Sequence, residues 1–165
     1  NFLHERLFNY LKDLGYSNEI VDALVSSRPE KIYDILERLE AISEFVKLKE
    51  SETLSSANKR VSNILKKADK ISINPIDENL LIENEEIMLH KVLLDLEPKI
   101  NQCLIKNDFI SALKNLVILN TPINNFFEKV MVNADDSKIK NNRYSLLFKL
   151  RQNLNCVADI SKLAS

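Results

Sequence analysis

Glycine is almost missing from this chain: its 165 residues contain one, Gly15. At the usual abundance of about 7%, a chain of this length carries roughly a dozen. Phosphate-cradling loops need several glycines, because backbone N–H groups must converge on the ligand. A single glycine therefore excludes a P-loop, a dinucleotide-binding turn and a kinase-type glycine-rich lid. It also argues against a sheet-rich fold, whose tight hairpins depend on positive-φ residues. Tryptophan is absent, and there are only four prolines. The two cysteines, Cys103 and Cys156, are too few for a disulfide framework and read as reduced core residues of a cytosolic protein. No apolar run approaches the roughly 18 residues a membrane span needs. The net charge of −1 leaves no overall basic footprint.

What is present suits one globular core: 45% hydrophobic and 28% charged residues, in a length that fits one domain or two small ones. The first residue, Asn1, falls directly into a helical pattern. That points to a piece of a longer chain, with the catalytic part of any parent enzyme outside it.

Apolar residues recur at helical spacing almost throughout, and period-two alternation is nearly absent. The fold class is all-α, a bundle of about seven to eight helices. Leu3, Leu7, Tyr10, Leu11 and Leu14 form a first stripe that stops at Gly15, a natural left-handed C-cap. Ser17 caps a short second helix through Ser26. Pro29 suits the first turn of a third, with Ile32, Ile35, Leu36, Leu39, Ile42 and Phe45 or Val46 inward. A fourth helix covers about 52–68. The stretch 69–77 breaks the pattern at Asn74-Pro75, so 1–165 reads as one helical domain with possible sub-clusters 1–68 and 78–165. A fifth helix covers about 84–106, with Pro98 expected to kink or split it. Asp108 caps a sixth, and Thr121-Pro122 starts a seventh burying Ile123, Phe126, Phe127 and Val130. The last is expected to run to about Leu163 on a stripe of Ile139, Leu146, Leu147, Leu150, Leu154, Val157 and Ala158.

No catalytic constellation is legible. His4 and His90 lack partners at metal-ligand spacing. Asp135-Asp136 reads as a cap for the last helix. Charge is more informative. Lys47, Lys49, Lys59, Arg60, Lys66, Lys67 and Lys70 face only Glu50, Glu52 and Asp69 in their stretch. Between Asp77 and Glu97 the balance reverses. From Lys138 to Arg151, Lys138, Lys140, Arg143, Lys149 and Arg151 then follow with no acidic residue among them. Lys59, Asn63, Lys66 and Lys70 share one helix face, as do Lys138, Asn142, Ser145, Lys149 and Gln152. Lysine and arginine neutralise phosphates, while Asn, Gln and Arg can bond base edges. The bland alternative is a pair of solvated helix faces.

Several segments sharpen the choice. The run Ala57-Asn58-Lys59-Arg60-Val61-Ser62-Asn63-Ile64-Leu65-Lys66-Lys67 resembles a motif of the bacterial glycyl-tRNA synthetase β subunit. So do Pro122-Ile123-Asn124-Asn125-Phe126-Phe127-Glu128-Lys129-Val130-Met131-Val132, followed by Asp135-Asp136, and Asn142-Arg143-Tyr144-Ser145-Leu146-Leu147, leading to Val157-Ala158-Asp159-Ile160-Ser161. Gly15-Tyr16, Asp22-Ala23-Leu24 and Arg28-Pro29 fit the same family, in the same order.

The resemblance implies a C-terminal, DALR-type anticodon-binding domain like that of arginyl-tRNA synthetases. It implies glycine tRNA and a separate catalytic α subunit as partners, and no membrane or DNA. Neither cofactor nor catalytic residue is expected in this piece; ATP and Mg²⁺ serve the whole enzyme. Carried over residue by residue, it implies tRNA contacts by Asn58, Lys59, Arg60, Asn63, Lys66, Lys67, Asn142, Arg143 and Lys149. Of these, Arg60 or Asn63 would meet a base, and Lys59, Lys66 and Lys67 phosphates. Arg143 is equally open to a salt bridge with Asp135 or Asp136, and Phe126-Phe127 to base stacking or core packing. The alternative function is docking of the catalytic subunit through Glu83, Glu85 and Glu86.

Overall fold

The computed structural model describes residues 2–27, 34–68 and 72–165. The expected helix start at Pro29, together with Ile32, Asp69 and Lys70, lies outside the described residues. Eight α-helices follow in order among the described residues: α1 Phe2–Asp13, α2 Asn18–Ser26, α3 Ile35–Phe45, α4 Ser51–Lys67, α5 Asn84–Ile105, α6 Phe109–Asn115, α7 Asn120–Lys129 and α8 Ser137–Leu154. Short 3₁₀ turns occupy Glu78–Leu80, Leu116–Leu119 and Ile160–Leu163, and no strand occurs among the described residues. The all-helical expectation holds.

A chain with one glycine still has to turn its helices. Gly15, at φ 94°, ends α1: its N–H donates to the Lys12 carbonyl (2.9 Å), and the Tyr16 N–H to that of Leu11 (3.4 Å). The same pair of bonds closes α5, where Asn107 takes the left-handed position at φ 54°. Its N–H reaches Leu104 O (3.1 Å), and that of Asp108 reaches Cys103 O (2.8 Å). Asparagine is the usual substitute for glycine there, because its short polar side chain tolerates that region. The next helices start on side-chain oxygens. Ser17 accepts from Ile20 N, Asp108 from Ser111 N, and Asp136 from Lys138 N and Ile139 N. Each cap supplies an acceptor to first-turn N–H groups that have no partner within the helix.

Pro98 lies inside α5, but the helix neither splits nor stops there. Pro98 sits on the exposed side, where water can take the carbonyl freed by its missing N–H. On the opposite side Leu89, Leu93, Leu96 and Ile100 are buried against α6, α7 and α8. Packing of that stripe outweighs the local defect.

The expected stripe of α1 is not core. Leu11 is buried, whereas Leu3, Tyr10 and Leu14 are exposed, because α1 packs chiefly on α2. Phe45 rather than Val46 is the buried member of its pair, and Leu36 is exposed. Phe126 is buried and Phe127 half-buried.

The last long helix ends at Leu154, not near Leu163. The residues after it are drawn away by tertiary bonds: Arg38 Nη1 donates to Val157 O (2.7 Å), and Asp159 N to Ala23 O (3.0 Å). Val157, Ala158 and Ile160 are fully buried, and the final 3₁₀ turn packs on α4 and α2. Side chains from both sides of residues 69–77 enter one hydrophobic cluster.

A buried ion pair fixes α8. Glu86, 0% exposed, and Arg143, 6% exposed, meet at 3.0 Å (Nε to Oε2) and 3.1 Å (Nη2 to Oε1). Glu86 Oε1 also accepts the N–H groups of Ile82 (2.6 Å) and Glu83 (2.8 Å). Arg143 Nη1 donates to Met131 O (2.6 Å). Arg143 thus pairs with Glu86, not with Asp135 or Asp136. Removing one partner of such a pair leaves a buried charge with no counter-charge. Arg143→Ala is expected to lower the free energy of unfolding by about 3–5 kcal/mol in urea titration, with Glu86→Leu/Arg143→Met recovering most of it. A single-variant loss in the range of an exposed pair, about 0–1 kcal/mol, would contradict this role.

Candidate nucleic-acid interface

Helix α4 has two faces. Leu54, Ala57 and Val61 are buried, while Lys59, Arg60, Asn63, Lys66 and Lys67 are exposed. Lys59, Asn63 and Lys66 follow one line at helical spacing, and Arg60 and Lys67 stand one step further round. Opposite that line lie the end of α8 and the final 3₁₀ turn. Between them runs a groove of about 820 Å³, whose walls include Lys59, Lys66, Arg151 and Lys162. Leu65, Ile73, Phe148 and Ala164 add apolar surface, and Asn63, Ser161 and Asn155 polar edges.

Among the described residues, four cations face a single carboxylate, Asp159, in this groove. Its Oδ1 already accepts from Ser161 N (3.2 Å) and Ser161 Oγ (2.5 Å). Among the described residues none of the four cations takes part in an ion pair. Arg151 lies 5.5 Å from the Phe148 ring centroid, within the range of a cation–π contact. Uncompensated cations over a partly apolar floor attract a polyanion that also has flat apolar parts.

The nine residues expected to contact tRNA separate into groups. Lys59, Asn63 and Lys66 line the groove, and Arg60 and Lys67 flank it. Asn58 is fully buried, and its Nδ2 donates to Asn155 Oδ1 (2.6 Å), tying α4 to the end of α8. Asn142 is buried too, and holds residues 72–77 against α8: its Oδ1 accepts from Asp77 N (2.8 Å) and its Nδ2 donates to Asp77 O (2.9 Å). Asn74 N donates to Ser145 Oγ nearby (3.3 Å). The expected face of Lys138, Asn142, Ser145, Lys149 and Gln152 is therefore covered along its middle. Arg143 is held by Glu86, and Lys149 by Glu97 at 3.0 Å. Glu86 is likewise withdrawn from the acidic surface that it would have formed with Glu83 and Glu85.

Arg151 belonged to the basic run visible in the sequence. Lys162 had no such signal, because a helix continued to Leu163 would have placed it elsewhere.

Other chemistry finds little support in the side chains. Among the described residues no group of three His, Cys, Asp or Glu could hold a metal ion. His90 Nε2 lies 3.3 Å from Glu78 Oε1. No helix is long and apolar enough to cross a membrane among the described residues. Burial pushes the Cys156 thiol from its ordinary 9.0 up to about 12. Since the thiolate is the nucleophile, this shift disfavours alkylation of the half-buried Cys156 in the folded protein. Its raised pKa favours the folded state below pH 9, and that contribution is lost as pH climbs toward 12. Iodoacetamide at pH 8.5 is expected to leave Cys156 unmodified in the native protein and to modify it in urea. Rapid native labelling would show that the site opens.

The fold and the groove define an all-helical domain with a cationic cleft on one flank. A family model described as the DALR anticodon binding domain matches residues 54–160, a span from α4 into the final 3₁₀ turn that takes in most of the groove. The chain belongs to the DALR anticodon binding domain family. It is 46% identical over all 165 residues to the glycine–tRNA ligase beta subunit of Ralstonia nicotianae, covering 24% of that protein. Identity is 42% to the same-named proteins of Janthinobacterium sp. and Dechloromonas aromatica, again over the whole chain and over 24% and 23% of theirs. The chain thus spans about a quarter of the length of these relatives.

Proposed function

We propose that this chain is the anticodon-binding domain of a glycine–tRNA ligase beta subunit, holding the anticodon stem-loop of glycine tRNA while a separate alpha subunit catalyses aminoacylation. The observation that carries the reading is the groove between α4 and the end of α8, whose four cations take part in no ion pair among the described residues. The family match over 54–160 and the names of the relatives support it. Lys59, Lys66, Arg151 and Lys162 are placed to meet phosphates, with Lys67 at the margin. Asn63, between Lys59 and Lys66 on the same line, is placed to bond a base edge. Asn58, Asn142 and Arg143 act from within, by fixing the helices that carry these groups. ATP and Mg²⁺ would serve the catalytic subunit's chemistry, and no residue here is assigned to them.

Each phosphate neutralised on a single strand steepens the salt dependence of binding by about 0.7 in log–log slope. In the assembled ligase, Lys59→Ala, Lys66→Ala and Lys162→Ala combined are expected to flatten that slope by about 2 for a hairpin carrying the glycine anticodon. An unchanged slope would move the site elsewhere. Substituting the second and third anticodon bases should weaken binding to the native protein. Equal affinity for both hairpins would leave RNA binding without anticodon reading.

One observation favours a second surface. Ile82, Ile87 and Met88 are exposed at the start of α5, beside the exposed Glu83. This apolar and acidic patch suits docking of the alpha subunit. Ile87→Asp with Met88→Asp should release the alpha subunit in co-purification while leaving hairpin affinity intact. Retention of the alpha subunit would remove this reading.

A further inference from the structure

Arg60 stands out among the aromatic-contacting cations. Its guanidinium carbon lies 4.1 Å from the centroid of the Phe127 ring, so a residue of α4 is laid on a residue of α7. Arg6 with Phe2, Lys12 with Phe8 and Arg151 with Phe148 are neighbours three or four apart on one helix, as helical spacing alone produces. Arg38 on Phe109, at 4.4 Å, also joins two helices, but Arg38 is half-buried and bonded to Val157 O. That contact has a structural task. Arg60 is exposed and makes no ion pair or side-chain hydrogen bond among the described residues.

The platform beneath Arg60 is braced. Phe127 meets Phe126 edge-on, centroids 5.4 Å apart and planes at 78°, and Phe126 is fully buried. An exposed arginine normally samples many rotamers, and this one lies over a ring that is itself packed against the core. We propose that Arg60 is a stacking platform: its outer guanidinium plane receives one unstacked base of an RNA loop, while Phe127 supports it from below. Arginine planes stack on bases as aromatic rings do, and every base offers a π-face, so the contact tolerates any base. Phe127 acts through Arg60 as a positioning residue, because the guanidinium lies over its ring. A strand tracking Lys59 and Lys66 reaches Arg60 one residue along α4 and about 100° around its axis.

This inference rests on the RNA-binding reading, and lysine substitution separates the two. Arg60→Lys keeps the charge and removes the plane. In the assembled ligase it is expected to weaken binding of the anticodon hairpin about five- to a hundredfold, with the salt slope unchanged. Hairpins with a single abasic site at each loop position locate the stacked base. One position should weaken binding to the native protein and have no further effect in Arg60→Lys or in Phe127→Leu. Because Phe127→Leu touches a half-buried site, its urea midpoint is read alongside, and Arg60→Lys carries the test if that variant unfolds. Full affinity in Arg60→Lys overturns the platform and leaves a simple charge contact. If the groove lysine variants weaken binding and Arg60→Lys does not, only the platform fails. If neither changes binding, the RNA-binding reading fails with it.

Discussion

The pair between Arg143 and Glu86 is the contact on which the rest of the arrangement hangs. A fully buried carboxylate costs several kcal/mol in lost hydration unless its lone pairs are filled. Here they are filled from two directions, by the backbone N–H groups ahead of α5 and by the guanidinium of α8, which also donates to the carbonyl of Met131 beyond α7. One charged group therefore sets the start of α5, the position of α8 and the path of the α7–α8 connection. Helix α8 supplies a wall of the cationic groove, so the placement of Arg151 and Phe148 depends on a buried ion pair on another side of the same helix.

The groove itself comes from a reversal of the chain. After Leu154 the backbone leaves the helix, gives its groups to Ala23 and Arg38, and returns as a 3₁₀ turn packed on α4. That return brings Lys162 across from Lys59 and Lys66. Asn58 and Asn155 clamp the two walls together from below. Clustered cations that take part in no ion pair among the described residues repel one another, and the rigid framework on both sides holds them in place. The near absence of glycine fits this division of labour. The backbone needs left-handed turns at few places, and at one of them Asn107 does the work of a glycine.

Local chemistry was legible in the residues. Helical spacing marked the inner stripe of α8, and Ser17, Asp108 and Asp136 announced their helices because a cap acts within three residues of itself. Long-range effects were not. Arg143 and Glu86 lie 57 residues apart, and spacing alone favoured Asp135 or Asp136 as the partner. Pro98 signalled a break that tertiary packing overrides. The stripe of Leu3, Tyr10 and Leu14 looks like core because periodicity reports amphipathicity and not what covers it. Counting cations marked the exposed face of α4 that lines the groove, but it gave equal weight to an α8 face that residues 72–77 cover. The groove wall at Lys162 needed the end of α8, and that end is decided by tertiary bonds.

Photocrosslinking of glycine tRNA substituted with 4-thiouridine through its anticodon loop, in the assembled ligase, tests the groove most directly. Crosslinked peptides should fall on α4 between 59 and 67 and on residues 148–162. Crosslinks confined to α1 or to the exposed start of α5, with none on α4, would place the RNA on another face and contradict the groove as its site.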